Sequence, residues 1–115
     1  MTVEQETLDA VRELILEHRG KENAIFASEI AEEVGIEDGD TTVNTREYIT
    51  ELLEEGIPLA SNPGLGYWVI ETQEELDNYV GSLERRARSI ENRKLKALDA
   101  AESWPELELT DEDHF

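Results

Sequence analysis

Arg85, Arg86, Arg88, Arg93, Lys94 and Lys96 gather six of the chain's ten cations into twelve consecutive residues. Between residues 85 and 98 the only carboxylate is Glu91, so the segment carries +5 while the rest of the 115-residue chain sums to −24. Arginine and lysine at this density suit phosphate: each contact releases a counterion from a polyanion and carries no sequence information. On a helix, Arg85, Arg88 and Lys96 tend toward one side while Arg86, Arg93 and Lys94 spread round the other, a basic collar rather than a stripe. The competing expectation is that the collar pairs with the acidic body, the tail or a second subunit, since surface ion pairs are common and weak.

Other chemistry is poorly supported. Asp and Glu make up 29 of 115 residues, so the nearness of any two carboxylates says little about acid–base catalysis. Gly64-x-Gly66 lies between two apolar stretches and not between a strand and a helix, the context a phosphate-cradling loop requires. The absence of cysteine excludes disulfides and thiolate chemistry, and His18 and His114 are far apart, so no metal site is expected. No set of nucleophile, base and orienting group is visible. The expectation is a non-enzyme with no catalytic residues, no cofactor and no small-molecule ligand.

A formal net charge of −19 would strain a compact state at low salt. At molar salt the Debye length falls to roughly 3 Å and the repulsion is screened. Carboxylates spread along almost the whole chain, with only Lys21, Lys94 and Lys96 as lysines, resemble the composition of proteins from salt-in halophilic archaea. The acidity then speaks of solvent; a DNA-mimic or cation-binding role is the alternative. Apolar residues, 38% of the chain, sit in periodic clusters that argue for one small packed core. No run of about 18 apolar residues and no charged-then-apolar leader occurs, so a soluble, cytoplasmic protein is expected.

The elements that must position these residues follow from spacing and punctuation. Leu8, Val11, Leu14 and Ile15 predict a helix over about Val3 to His18, with Thr2 and Gln5 as a capping box and Gly20 as a stop. Ser28 reads as the N-cap of a two-turn helix ending at Gly35. Thr41 or Thr42 then caps a third helix, with Val43, Ile49, Leu52 and Leu53 facing one side and Asn44, Thr45, Glu47, Thr50 and Glu51 exposed, ending at Gly56. Asn62-Pro63-Gly64-Leu65 between Ile57–Ser61 and Gly66–Ile70 predicts a β-hairpin. Thr72, with Glu75 completing the box, starts a long helix that runs toward Ala101 and stops at Pro105.

The resulting class is α+β, mostly α. Residues 1–72 form one domain, residues 73–102 a long C-terminal helix, and residues 103–115 an acidic tail expected to be disordered. Three helices followed at once by a hairpin are the order of a winged helix-turn-helix. With Ala27-Ser28-Glu29-Ile30-Ala31, the run Thr45 to Leu59 and Gly66-Tyr67, residues 5–72 resemble, at the level of motifs, the winged-helix modules of prokaryotic and archaeal transcription regulators, of the N-terminal part of bifunctional biotin ligases, and of small phage or haloarchaeal proteins. The resemblance implies double-stranded DNA as the partner. It places the helix Thr42–Glu55 in the major groove and the hairpin tip, residues 62–65, on the flanking backbone or minor groove.

Ser28, Thr42, Asn44, Thr45, Arg46, Tyr48 and Asn62 are therefore the candidate DNA contacts beside the collar. Arg46 is the only cation on its helix, where Glu47, Glu51, Glu54 and Glu55 oppose phosphate, and the wing carries no cation. An ion pair from Arg46 to a nearby glutamate is the plainer expectation for that residue. The rival function is a winged-helix protein-interaction module whose acidic third helix docks a basic partner. Leu76, Val80, Leu83, Ala87 and Ile90 form a heptad-like stripe, which predicts a homodimer through the C-terminal helix, parallel or antiparallel, unless its first half packs on helix one.

Overall fold

A computed structural model describes residues 3–39 and 41–106. It is α+β and mostly helical: α1 (Gln5–Ile15), a single 3-10 turn (Lys21–Asn23), α2 (Ala27–Val34), α3 (Val43–Glu54), an antiparallel hairpin of β1 (Leu59–Asn62) and β2 (Gly66–Val69), and α4 (Gln73–Glu102). The chain divides into two compact units, the first ending at Asp77 and the second beginning at Asn78. Residues 107–115, with the expected disordered end of the tail, lie outside the described residues, as does the Thr2 half of the expected capping box.

The core of the first unit is built from one face of each element. Leu8, Val11 and Ile15 of α1 recur at i, i+3 and i+7 and meet Ile30 of α2, Tyr48, Ile49 and Leu52 of α3, and Leu59 and Val69 of the hairpin. Complete burial of each large aliphatic side chain contributes about 1.5–3 kcal/mol, and Val11, Ile15, Ile30 and Leu52 are fully enclosed.

Helix α1 is shorter than its periodicity suggests. It starts after Glu4, which makes no side-chain cap, and ends at Ile15, not His18. The carbonyl of His18 accepts from the Val69 N–H (2.8 Å) and the Gly20 N–H donates to the Val69 carbonyl (2.8 Å). Sheet pairing with β2 thus competes with another helical turn and wins. Ile25 does the same on the same edge of β2: its N–H donates to the Tyr67 carbonyl (2.8 Å) and its carbonyl accepts from the Tyr67 N–H (2.7 Å). The short apolar stretch around Ile25 is therefore a one-residue third strand, a pairing that no local signal announces.

Because Ile25 is held extended, α2 begins immediately afterwards. Phe26 is its N-cap residue, and the Glu29 carboxylate accepts from the Phe26 N–H (3.1 Å). Ser28 is not the cap; it lies inside the first turn. Gly35 ends the helix at φ +86°, as its position suggested.

The hairpin pairs Leu59 with Val69, Ala60 with Trp68, Ser61 with Tyr67 and Asn62 with Gly66. Its reversal is closed by the Leu65 N–H on the Asn62 carbonyl (3.0 Å) and by the Gly64 N–H on Asn62 Oδ1 (2.7 Å). Past the hairpin, Thr72 Oγ1 accepts from the Glu75 N–H (3.1 Å) and Glu75 reaches back to the Glu71 N–H (3.2 Å), so the expected box forms, one residue wider than usual. The helix it opens has 30 residues and no buried side chain. No helix among the described residues is long and apolar enough to cross a membrane.

Candidate nucleic-acid interface

The exposed surface of α3 differs from the one its residue types suggested. The core face follows i, i+3, i+4, i+7 through Thr45, Tyr48, Ile49 and Leu52, so Thr45 (0% exposed) and Tyr48 (2%) are inside, whereas Val43 (49%) and Leu53 (51%) are outside. Two polar side chains hold core positions because each has a partner. Thr45 Oγ1 donates to Asp38 Oδ2 at 2.5 Å, and the Tyr48 hydroxyl accepts from the Glu4 N–H at 3.2 Å.

Asp38 organises the start of this helix. Its carboxylate accepts from the N–H groups of Asn44 (2.8 Å) and Thr45 (3.1 Å) as well as from the Thr45 hydroxyl, so it satisfies donors that a helix N-terminus leaves open. Thr42 occupies the N-cap position but its side chain makes no cap hydrogen bond. Burial pushes the Asp38 carboxyl up, yet the bonds from Thr45 and Asn44 and the nearby charge of Arg46 outweigh it and hold the group below its ordinary value. The signal for this role was the Asp-Gly-Asp loop, where a carboxylate precedes the helix by too many residues for a standard cap.

Of the helix-three residues singled out for base contact, Thr45 and Tyr48 are thus enclosed and cannot reach a groove. Asn44 is half-buried and its Nδ2 donates to the Glu37 carbonyl (3.1 Å), tying it to its own loop. Arg46 is exposed, its Nε donating to the Thr42 carbonyl (3.3 Å), and it forms no ion pair among the described residues. Arg46, Glu47, Thr50, Glu51 and Glu54 instead line an open groove with Val3 and Val43. Ser28 is exposed on α2, and Asn62 is exposed at the hairpin tip with its amide oxygen committed to the turn.

Elsewhere in the first unit Arg12 is occupied: it pairs with Asp9 (2.6 Å) on its own helix and with Glu55 (2.5 Å) after α3. Its hydrogen bond, with that of Gln5, holds the Asp9 carboxyl below the ordinary value.

In the second unit, Arg85, Arg86, Arg88, Arg93, Lys94 and Lys96 are all exposed on α4. The one ion pair along this helix among the described residues joins Lys94 to Glu91 (3.0 Å). Five collar cations therefore present their charge without an ion-paired carboxylate on their own helix. Among the described residues no group of three or more His, Asp or Glu is arranged to hold a metal ion.

Comparison with protein-family models, with curated proteins and with solved structures found no match to this chain.

Proposed function

We propose that this chain is a winged helix-turn-helix DNA-binding protein, a small cytoplasmic, non-enzymatic regulator from a salt-rich interior, which dimerises through α4. The observation that carries the reading is the +5 segment on α4, six exposed cations with one local ion pair in a chain of net −19. Such a segment binds phosphates by counterion release, and molar salt leaves only contacts at close range effective. Two features support the winged-helix type: the order of three helices and a hairpin, and the pairing of Ile25 with Tyr67, which adds a strand between the first and second helices to the sheet. In the first unit Arg46, Thr50 and the hairpin tip are the groups available to DNA. With Thr45 and Tyr48 enclosed, recognition rests more on backbone contact than on base edges.

The test is titration of random and genomic duplex DNA across a potassium chloride series reaching molar concentrations. Arg85, Arg88 and Lys96 share one side of α4, and the triple variant Arg85→Gln/Arg88→Gln/Lys96→Gln should bind about 50-fold more weakly near 0.2 M salt, with the salt slope reduced by about 3. Arg46→Ala should weaken binding further. Absence of binding at every salt concentration, or equal binding by wild type and both variants, overturns the proposal.

A specific observation favours a second reading, a protein-interaction module. The groove beside α3 offers Val3 and Val43 within a rim of Glu47, Glu51 and Glu54, which fits a basic amphipathic peptide better than phosphate. Under that reading Glu47→Gln/Glu51→Gln abolishes partner binding, and DNA binding is absent from the start.

A further inference from the structure

One face of α4 carries an apolar seam that no other part of its unit covers. Val80, Leu83 and Ile90 are 38–58% exposed and Ala87 is exposed with them, and none of the helix's residues is buried. Their 3-4-3 spacing assigns Val80, Ala87, Lys94 and Ala101 to the a positions of a heptad and Leu83, Ile90 and Ala97 to d. What the helix places beside the seam decides its partner. The e positions are Glu84, Glu91 and Leu98; the g positions are Arg86, Arg93 and Ala100. One flank is acidic and the other basic.

We infer that α4 forms a parallel, in-register, two-stranded coiled coil with a second copy of this chain, over residues 80–101. The inference rests on the self-association proposed above and adds its direction and stoichiometry. In a parallel pair g faces e of the next heptad of the partner helix, so Arg86 meets a Glu91 twice across the two-fold axis. In an antiparallel pair e faces e and g faces g. The alignments that pair most of residues 80–101 would set Glu84 against Glu91 and Arg86 against Arg93, or Glu91 and Arg93 each against its own copy, which is repulsive.

The seam residues agree. A β-branched Val80 at a with Leu83 at d favours two strands, Ile90 at d does not add to that preference, and one lysine at an a position, Lys94, sets register and oligomer state at some cost in stability. The seam also divides the collar. Arg85, Arg88 and Lys96 occupy positions f, b and c, away from the partner, and remain open to phosphate, whereas Arg86 and Arg93 flank the seam.

The chain contains no cysteine, so single-cysteine reporters in the full-length protein read the geometry cleanly. Ala87→Cys and Ala101→Cys sit at a positions about 21 Å apart along the helix. Under mild oxidation both variants should form covalent homodimers, and sedimentation equilibrium of the reduced wild type should give a dimer mass. An antiparallel pair brings at most one of these positions against its own copy, so a dimer mass with only one or neither cross-linking overturns the direction but leaves self-association standing. A monomer mass at all concentrations overturns both, and a trimer or larger overturns the two-stranded state. At low salt, Arg86→Glu should weaken the dimer about tenfold, and adding Glu91→Arg to it should restore wild-type association. Loss that the second substitution fails to rescue also overturns the parallel pairing. No DNA is present in these measurements, so their outcome is independent of the nucleic-acid proposal.

Discussion

Gly66→Ala should destabilise the first unit by about 4 kcal/mol or more, the combined cost of a forced positive φ, a backbone collision and two lost hydrogen bonds. Gly66 adopts φ +101°. A β-carbon there would lie 2.3 Å from the Ile25 carbonyl oxygen, 2.5 Å from its carbonyl carbon and 2.8 Å from the Phe26 nitrogen. All three are backbone atoms, so no rotamer change relieves the overlap. The Ile25 strand must withdraw, and with it go both hydrogen bonds to Tyr67 and the extended backbone from which α2 starts. Two turns of structure therefore depend on one missing methyl group.

Gly64→Ala is the matched control in the same hairpin. Its added carbon would meet only Asn62 Oδ1 at 3.3 Å, a side-chain atom, and its φ is not positive, so the loss should stay below about 1 kcal/mol. Denaturant unfolding in high salt, followed by helix signal, measures both variants. A Gly66→Ala protein within about 1 kcal/mol of wild type would contradict the close approach of Ile25 to β2.

Asp38→Ala should cost about 3 kcal/mol, combining a lost helix cap of about 1 kcal/mol with the penalty of leaving the enclosed Thr45 hydroxyl unpaired. Asp38→Asn keeps the shape but removes the charge, and should cost about half as much. The two variants also separate by pH. The folded-state carboxyl of Asp38 lies below its ordinary value of 3.8, so it binds its proton less readily folded than unfolded. Its contribution is then fully present above the ordinary carboxylate range and drains away as pH falls through the lower folded value. The stability gap between wild type and Asp38→Asn should accordingly be constant at neutral pH and narrow in acid. A gap that stays constant down to the acid transition, or widens on acidification, would show that the charge does not hold the start of α3.

The first prediction concerns the contact that fixes where α2 begins, the second the contact that shapes what α3 presents. Enclosure of Thr45 by Asp38 and of Tyr48 by Glu4 is what leaves Arg46, Thr50 and three glutamates outside. The candidate DNA interface consequently shifts from the third helix toward α4, where no packing intervenes and the exposed residues are simply those that local charge counting identifies.

That difference marks what was legible in the sequence. Wherever the decisive interaction is local, residue types were enough. Asn62 closes its own turn within three residues, Thr72 and Glu75 cap the helix they begin, Gly35 ends α2 in the left-handed region, and the collar is a matter of composition on a solvated helix. The order of helices and hairpin follows from the same short-range signals.

The tertiary structure alone decided the rest, because the deciding partners lie far along the chain. Tyr48 is a candidate DNA contact by residue type, but it is enclosed, and the partner of its hydroxyl is Glu4, 44 residues away. Thr45 is a polar type at a core position, and only the carboxylate of Asp38, seven residues earlier, makes its burial affordable. Ser28 is a better N-cap than Phe26 by type, but pairing of Ile25 with Tyr67 fixes where α2 begins. Local chemistry thus determined which elements form and where the positive charge gathers, while hydrogen bonds between distant residues determined which face of each element remains to meet a partner.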